Sequence, residues 1–475
     1  MKKCMALLLA LLMVFSLAVT ASAAPKEKAV KVVLPNYDSP SGTDQVEAAI
    51  NAITTEKYGV KLDIEFISTG NYAQQTNLML TSDEVDVFAL FGTPFDSYVN
   101  NGQLYELTEY WNNTTDEFKA EWDDADLKPF IVDGQLYAIP NFRDYGGYLG
   151  AMIDEEIAAE FGLVDRQDIT WEEFDAFLQK AHEKYPERYG LIPSGGTCLI
   201  SSWTWDGLGD SSYIGALPVS GQESTTVVPL FECEDFLNFV TWARKWYVEG
   251  ITMADILSNS ESWKSLFAAK KAVAMINSVG VNNPTGLINV HLSPNYIMTS
   301  TYRSVSYGIN ANSSNPDLAW RVMEILYTDK EVGTLLTNGV EGVHYVRNED
   351  GTASYPEGLD STTAGYNLVE AYWFVPYCPN SLPSAANGGD FYAKLVAQKD
   401  NGIKSGVFGF AFNASEVIDE YTACTNVMSK YYKPLMSGAV DPESIMAQAT
   451  SELEAAGLQT VIAEKQVQLD AFLGK

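Results

Sequence analysis

The sequence predicts the α/β fold class, and three observations support this prediction. Short apolar runs at residues 30–34, 60–67 and 85–91 have the composition of β-strands. Residues 44–57 and 72–81 separate these runs and have apolar side chains at helical spacing. The last run is apolar except for Asp86, which is typical of a strand covered on both faces. Strands that alternate with helices imply a parallel sheet.

The length of 475 residues suggests about three domain units of roughly 150 residues each, or two large lobes. The chain is 46% hydrophobic and 12% aromatic, so it can bury complete cores. This composition excludes a disordered polymer.

The first 24 residues have the pattern of an export signal. Lys2 and Lys3 precede an apolar run at 6–19, and small residues at 21–23 form a cleavage site. The alternative is a retained anchor helix, but the run is shorter than the roughly 20 residues that span a bilayer. We therefore expect a mature chain that begins near Ala24.

The mature chain is strongly acidic. Removal of the first 24 residues takes two lysines and no acids, so the charge becomes 28 − 62 = −34. Such a chain repels nucleic acids and anionic membrane surfaces. The acidity suits solubility outside the cell and does not identify a ligand.

The remaining cysteines, Cys198, Cys233, Cys378 and Cys424, are widely spaced and contain no CxxC pair. This spacing argues against a zinc site. Export makes a disulfide possible, although four separate, mostly buried thiols are the favoured interpretation.

No nucleophile elbow, HExxH, P-loop or GxGxxG motif occurs, and the three histidines lack metal-ligand spacing. We therefore predict no cofactor, no metal and no enzyme activity. A glycosidase remains the alternative from another class, because it needs only two suitably placed carboxylates.

Two helix starts are marked in the sequence. Thr170 and Glu173 form a capping box before a helix with a buried apolar stripe. Pro316 opens a second helix after an alternating strand and the polar loop 310–315.

The segment 305–336, with its strand–"NANS"–helix order, resembles bacterial extracellular solute-binding protein family 1. The family comprises maltose-binding-like receptors that serve ABC importers. Five further segments carry the same resemblance: DGQLYAIP at 133–140, TWEEF at 170–174, AVAMIN at 272–277, and the tail motifs at 338–345 and 466–472. The tail is similar to a helical domain found in one subgroup.

The resemblance implies a two-lobe, type II periplasmic-binding-protein fold with hinge crossovers and a helical C-terminal region. The motifs predict lobe 1 at 25–140, lobe 2 at 141–274, a return to lobe 1 at 275–312, and the last part of lobe 2 at 313–475. On this view 310–315 is the exit of a hinge strand.

Many members of the family are lipoproteins with a cysteine just after the apolar run. Here the only early cysteine, Cys4, precedes that run. We therefore expect cleavage without lipidation and an extracytoplasmic, secreted location.

The resemblance implies an ABC-importer receptor for a carbohydrate, with an oligosaccharide as the favoured ligand. The expected partners are that solute and the permease subunits, and the protein is expected to be a monomer. A receptor for a peptide or another polar solute is the alternative within the class.

Sugar recognition needs aromatic faces together with planar hydrogen-bonding groups. Several non-helical stretches offer both, and the ends of strands add loops where α/β proteins bind ligands. Each aromatic residue has core packing as its alternative role. The candidate ligand contacts are Tyr37, Phe95, Arg143, Asp144, Trp203, Trp205, Asp206, Tyr302 and Trp373.

Overall fold

The computed structural model describes residues 29–37, 40–145, 147–194, 198–199, 205–210, 213–219, 224–259, 261–366 and 368–475. Residues 1–24 of the expected export signal and Trp203 lie outside these ranges. The strands, in chain order, are β1 (Val30–Asn36), β2 (Leu62–Ser68), β3 (Val87–Leu90), β4 (Ile131–Val132), β5 (Gln135–Leu136), β6 (Ile139–Pro140), β7 (Gly147–Asp154), β8 (Tyr189–Leu191), β9 (Trp205–Asp206), β10 (Gly215–Pro218), β11 (Val228–Pro229), β12 (Ala272–Val279), β13 (Leu287–Ile297), β14 (Ser306–Ile309), β15 (Val346–Arg347), β16 (Ala353–Ser354) and β17 (Ile403–Lys404).

The helices, in chain order, are α1 (Thr43–Tyr58), α2 (Thr69–Met79), α3 (Phe95–Asn100), α4 (Thr108–Asn113), α5 (Asp116–Lys119), α6 (Asp124–Leu127), α7 (Glu155–Glu160), α8 (Trp171–Lys184), α9 (Glu234–Val248), α10 (Trp263–Ala268), α11 (Thr299–Tyr302), α12 (Pro316–Thr328), α13 (Lys330–Asn338), α14 (Phe391–Asp400), α15 (Ile418–Met436), α16 (Pro442–Ala455) and α17 (Leu458–Phe472).

The first lobe is built on the sheet β2-β1-β3-β14-β6. Strand β1 pairs in parallel with both β2 and β3, as the alternation of strands and helices predicts. β14 lies between β3 and the edge strand β6 and is antiparallel to both. Strand β3 is buried along its whole length, which agrees with its unbroken apolar run.

The second lobe is built on the sheet β17-β13-β7-β12-β8. Its long central strand β7 is antiparallel to both β12 and β13. A separate core joins this sheet to α8, α9 and the C-terminal helices α15, α16 and α17. The predicted two-lobe α/β architecture with a helical C-terminal region is confirmed.

The described chain passes between the two cores at three places. These crossings lie between β6 and β7, between β13 and α11, and between α14 and β17. Tyr302, just after the second crossing, stacks on Tyr145 at the first, with ring centroids 3.8 Å apart.

Two of the predicted lobe boundaries are wrong. The segment 275–312 was expected in lobe 1, but most of β12 and all of β13 pair with β7 in the sheet of lobe 2. The segment 313–475 was expected in lobe 2, but α12, α13 and α14 pack in the core of lobe 1. An apolar helix can join either core, and only contacts with β1 and β14 assign α12 to the first. The loop 310–315 therefore lies within lobe 1 and is not a hinge exit.

Local features predicted from neighbouring residues are confirmed. The Thr170 hydroxyl accepts from the Glu173 N–H at 3.1 Å, and the Glu173 carboxylate accepts from the Thr170 N–H at 2.9 Å. Pro316 is the first residue of α12, and Asn315 caps it.

Cys233, Cys378 and Cys424 are buried free thiols, and burial raises the pKa of Cys233 to about 11. Among the described residues, no group of three or more His, Cys, Asp and Glu side chains could hold a metal ion. None of the helices in the described ranges is both long enough and apolar enough to cross a bilayer.

Candidate functional site

A cavity of about 970 Å³ opens between the two lobes. We call it the cleft. Lobe 1 contributes the end of β1 and the 3-10 segment Leu368–Phe374, and lobe 2 contributes α10 and the loop between β12 and β13. Its volume lies at the upper end of the roughly 300–1,000 Å³ typical of small-molecule sites.

The lobe 1 wall of the cleft is aromatic. Tyr37 is 51% exposed, and its hydroxyl accepts a hydrogen bond from Trp373 Nε1 at 3.1 Å. The buried Phe374 lies beneath both rings, 3.7 Å from Trp373 and 5.8 Å from Tyr37 between centroids. The hydrogen bond and this packing hold two aromatic rings in place at the cavity surface.

Arg143 connects this aromatic wall to the first crossing between the lobes. Its Cζ atom lies 5.2 Å from the centroid of the Trp373 ring, within range of a cation–π interaction. Its Nε donates to Asp144 Oδ1 at 3.0 Å, and its Nη1 donates to Ser304 Oγ at 2.8 Å. The planar guanidinium is therefore held in one orientation beside the ring.

The lobe 2 wall combines aromatic and amide groups. Trp263 and Phe267 of α10 face the cleft, as do Asn282 and Asn283 from the β12–β13 loop. Asn282 also reaches lobe 1: its Nδ2 donates to the Asn387 carbonyl at 2.5 Å. This contact joins the lobes at the cleft.

The ionisable side chains that line the cleft are nearly balanced, with Arg143, Lys264 and Lys270 against Asp144 and Asp154. Asp144 pairs with Arg143 at 3.0 Å, and Asp154 pairs with Lys270 at 3.1 Å. On a chain with a net charge of −32, this pairing leaves a site suited to an uncharged polar ligand.

A smaller cavity of about 190 Å³ lies between the lobes near the second crossing. We call it the side pocket. Phe95 and Asp96 line it from lobe 1, Trp205 and Asp210 from lobe 2, and Arg303 from the residues after α11. Arg303 Nη1 donates to both oxygens of Asp96 at 3.0 and 2.8 Å, and its Cζ lies 4.5 Å from the centroid of the Phe95 ring. Burial lowers the pKa of Arg303, and Asp96 opposes this shift.

The structure distributes the predicted ligand contacts over several places. Tyr37, Arg143, Asp144 and Trp373 meet in the cleft, whereas Phe95 and Trp205 line the side pocket. Trp203 lies outside the described residues.

Asp206 and Tyr302 are buried and line neither the cleft nor the side pocket, so their role as ligand contacts stays a prediction. Asp206 is 3% exposed and accepts from Ser405 Oγ at 2.6 Å. Tyr302 is fully buried, and its hydroxyl donates to Asp126 Oδ1 at 2.6 Å. Both side chains use their polar atoms to brace residues near the crossings.

Sequence reasoning missed the lobe 2 wall, above all Trp263, Asn282 and Asn283. The polar run NNPTG at 282–286, between two strands, was a usable signal for an exposed loop. Its position at the cleft depends on the pairing of β12 and β13 with β7, which the sequence did not reveal.

Comparison with known proteins is consistent with this architecture. The profile of bacterial extracellular solute-binding proteins matches residues 39–332, and a domain of unknown function, DUF3502, matches residues 406–474. A carbohydrate ABC transporter substrate-binding protein of Streptococcus pneumoniae serotype 4 is 23% identical over 453 residues. That alignment covers 92% of this chain and 89% of the relative.

Among solved structures, the N-glycan transport solute-binding protein NgtS of Streptococcus pneumoniae superposes with a TM-score of 0.82 at 20% identity. The match covers 94% of this chain and 99% of that one. Its complex with Man5GlcNAc superposes with a TM-score of 0.70 at 21% identity, covering 94% and 98% of the two chains.

Proposed function

The chain belongs to the bacterial extracellular solute-binding protein family, and we propose that it is the carbohydrate-capturing component of an ABC importer. The ligand is an oligosaccharide held between the lobes. Recognition by the membrane permease follows capture, and the ligand leaves the protein unchanged.

The observation that carries this proposal is the chemistry of the cleft. A sugar ring has apolar C–H faces that pack on aromatic rings, and its hydroxyls need paired donors and acceptors. Tyr37 and Trp373 supply the aromatic rings. The hydrogen-bonding groups come from Arg143, Asp144, Asn282 and Asn283. The paired charges favour a neutral ligand.

Closure about the three crossings provides the mechanism. A ligand that touches both walls binds the closed state better than the open one and shifts the population toward it. The proposed contacts are Tyr37 and Trp373 from lobe 1 and Arg143 and Asp144 from the first crossing. Trp203 stays a predicted contact from lobe 2.

Relatives support a glycan as the ligand class. The pneumococcal relative is a carbohydrate transporter component, and NgtS forms complexes with Man1GlcNAc and Man5GlcNAc. We extend this class, and not an individual sugar, to the present chain. A peptide or another polar solute is the alternative ligand.

We also propose that the protein has no catalytic role. A glycosidase needs one carboxyl group that carries a proton and a second that acts as base or nucleophile. The carboxylates lining the described cleft, Asp144 and Asp154, are each engaged by a cation. This arrangement favours binding over hydrolysis.

We further propose that residues 1–24 are an export signal, which is cleaved near Ala24 without lipidation, and that the protein is a monomer. Its extracytoplasmic location agrees with the family. The permease subunits are the proposed macromolecular partners.

A thermal-shift screen of residues 24–475 against Man1GlcNAc, Man5GlcNAc, other oligosaccharides and peptides tests the function. We expect stabilisation by at least one oligosaccharide, recovered intact by mass spectrometry. Stabilisation by peptides alone would reject the carbohydrate assignment, and recovery of a cleaved glycan would reject the receptor role.

A further inference from the structure

We propose that the side pocket is a second glycan subsite, which takes one neutral terminal sugar ring of an oligosaccharide whose remainder lies in the cleft. This inference rests on the proposed function and adds to it a preference for longer glycans. It assigns a hydrogen bond from Trp205 Nε1 to a ring hydroxyl.

The main observation is an unused donor on Trp205. Its side chain is 1% exposed and lines the side pocket, yet its Nε1 has no hydrogen-bond acceptor. A buried N–H without a partner is costly, so such groups are rare in folded proteins. The Nε1 atom is itself enclosed, so it gains a hydroxyl in the pocket when the indole turns toward that pocket.

The other polar groups of the side pocket suit the same ligand. Asp96 is paired with Arg303 at 2.8 Å, and Asp210 is paired with Lys465 at 3.0 Å. Because each carboxylate has a cation, the pocket offers hydrogen-bonding atoms without unbalanced charge. Phe95 adds an aromatic surface. These features favour a neutral hydroxylated ring over an anion or a cation.

The C-terminal segment holds the lobe 2 side of the pocket. Lys465 of α17 is fully buried and donates to Asp210, and Tyr421 of α15 donates to the same carboxylate. Phe412 N–H donates to the Leu208 carbonyl at 2.9 Å. The segment matched by DUF3502 thus positions the turn after Trp205, and its residues act on the ligand through that turn.

The side pocket and the cleft are neighbours. Arg143 lines the cleft and donates to Ser304 Oγ at 2.8 Å, and Ser304 directly follows Arg303, which lines the side pocket. One hydrogen bond and one peptide bond therefore connect the linings of the two cavities. The proposal therefore places a single branched or extended glycan in both cavities.

The two volumes indicate how a glycan divides between them. The cleft encloses about 970 Å³, and the side pocket encloses about 190 Å³. The smaller value lies below the roughly 300–1,000 Å³ of a complete small-molecule site. It suits one terminal ring, so a short glycan would use the cleft alone.

Calorimetric titration with Man1GlcNAc and Man5GlcNAc tests the subsite. Trp205→Phe keeps an aromatic ring and removes the N–H. We expect it to weaken Man5GlcNAc binding about 3–10-fold, the effect of one neutral hydrogen bond, and to change Man1GlcNAc binding less than about 2-fold. A general structural defect would weaken both glycans alike.

Trp122→Phe is the matched control. Trp122 is 4% exposed, its Nε1 also has no acceptor, and it lines neither cavity. Three outcomes would overturn the subsite alone. Trp205→Phe could leave the affinity for Man5GlcNAc unchanged, or it could lower the affinity for both glycans equally. The control Trp122→Phe could also lower the affinity for Man5GlcNAc as much as Trp205→Phe does. Failure of the unmutated protein to bind either glycan would remove N-glycan fragments as ligands and the subsite with them, whereas the thermal-shift screen tests the wider oligosaccharide class separately.

Discussion

The guanidinium carbon of Arg143 lies 5.2 Å from the ring centroid of Trp373. Arg143 belongs to the first crossing between the lobes, whereas Trp373 forms the aromatic wall of the cleft. This contact links the first crossing to the surface that we propose binds the sugar. We therefore expect a ligand stacked on Trp373 to lie close to the crossing.

Trp373→Ala removes the larger ring of the aromatic wall. We expect glycan affinity to fall about 10–30-fold, because truncation of a binding tryptophan commonly costs about 2 kcal/mol. Calorimetry with the stabilising oligosaccharide measures the change. Trp242→Ala is the control, because Trp242 is also half-buried but lines neither cavity. Unchanged affinity in Trp373→Ala would remove this residue from the site.

Asn282→Ala removes two hydrogen bonds between the lobes. Asn282 donates to the Asn387 carbonyl and accepts from Lys394 Nζ at 3.2 Å. We expect bound glycan to dissociate about 3–10-fold faster, because these bonds hold the two lobes together at the cleft. Stopped-flow displacement measures the rate.

Asn348→Ala is the control for Asn282→Ala. Asn348 donates its side-chain hydrogen bonds to Thr352 and Ser354 within lobe 1. Equal dissociation rates for Asn282→Ala and the unmutated protein would show that the loop contact does not stabilise closure.

Asp126→Asn breaks a buried ion-pair cluster at the crossings. Asp126 is fully buried, with Lys399 Nζ at 2.7 Å and Lys404 Nζ at 3.1 Å. We expect a loss of about 3–5 kcal/mol in the free energy of unfolding, measured in urea at pH 7. Asp123→Asn is the control, because its carboxylate is 65% exposed and lies 3.6 Å from Lys404. It should cost under about 1 kcal/mol.

The same carboxylate predicts a pH dependence of stability. Burial acts to raise the pKa of Asp126, but Lys399, Tyr302 and Lys404 lower it below the ordinary 3.8. A depressed pKa stabilises the folded state above about pH 3.8, and this contribution is lost as the pH falls through the folded-state value. Unfolding scans from pH 6 to pH 3 should therefore show a shallower acid decline in Asp126→Asn than in the unmutated protein. If the stability of both proteins declines equally with falling pH, Asp126 is not the source of this pH dependence.

Lys465→Met tests the buried pair that holds the C-terminal helices to lobe 2. The change leaves Asp210 without its cation, and we expect the free energy of unfolding to fall by about 3–5 kcal/mol. Asp210→Asn in the same chain should restore much of this loss, because no charge is then left unpaired. Urea unfolding of the two single variants and the double variant gives the coupling free energy between Lys465 and Asp210. If the stability losses of the single variants simply add in the double variant, the two side chains do not stabilise each other.

Much of the local structure could be predicted, because it depends on neighbouring residues. The capping box at Thr170 and the start of α12 at Pro316 are confirmed, since both depend on residues within one helical turn. Tyr37 was predicted from its place at the end of a strand, and Arg143, Asp144 and Trp373 were predicted as polar and aromatic groups in loop segments. All four line the cleft, and their contact with a ligand stays a prediction.

The remaining site residues could not be predicted in the same way. Trp205 and Tyr302 are both aromatic residues outside long helices, yet one lines the side pocket and the other is buried against Tyr145. The residue type alone does not distinguish a side chain that lines a cavity from one that is buried behind it. Their burial depends on elements that pack from distant parts of the chain.

The sequence by itself determined the fold class, the family and most element positions, because periodicity, caps and motif order are properties of contiguous residues. Only the tertiary structure decided which lobe each element joins. Strand β13 pairs with β7, and α12 packs on β1, through contacts more than a hundred residues apart in the chain. Those long-range contacts also brought the β12–β13 loop opposite Trp373 and thereby completed the cleft.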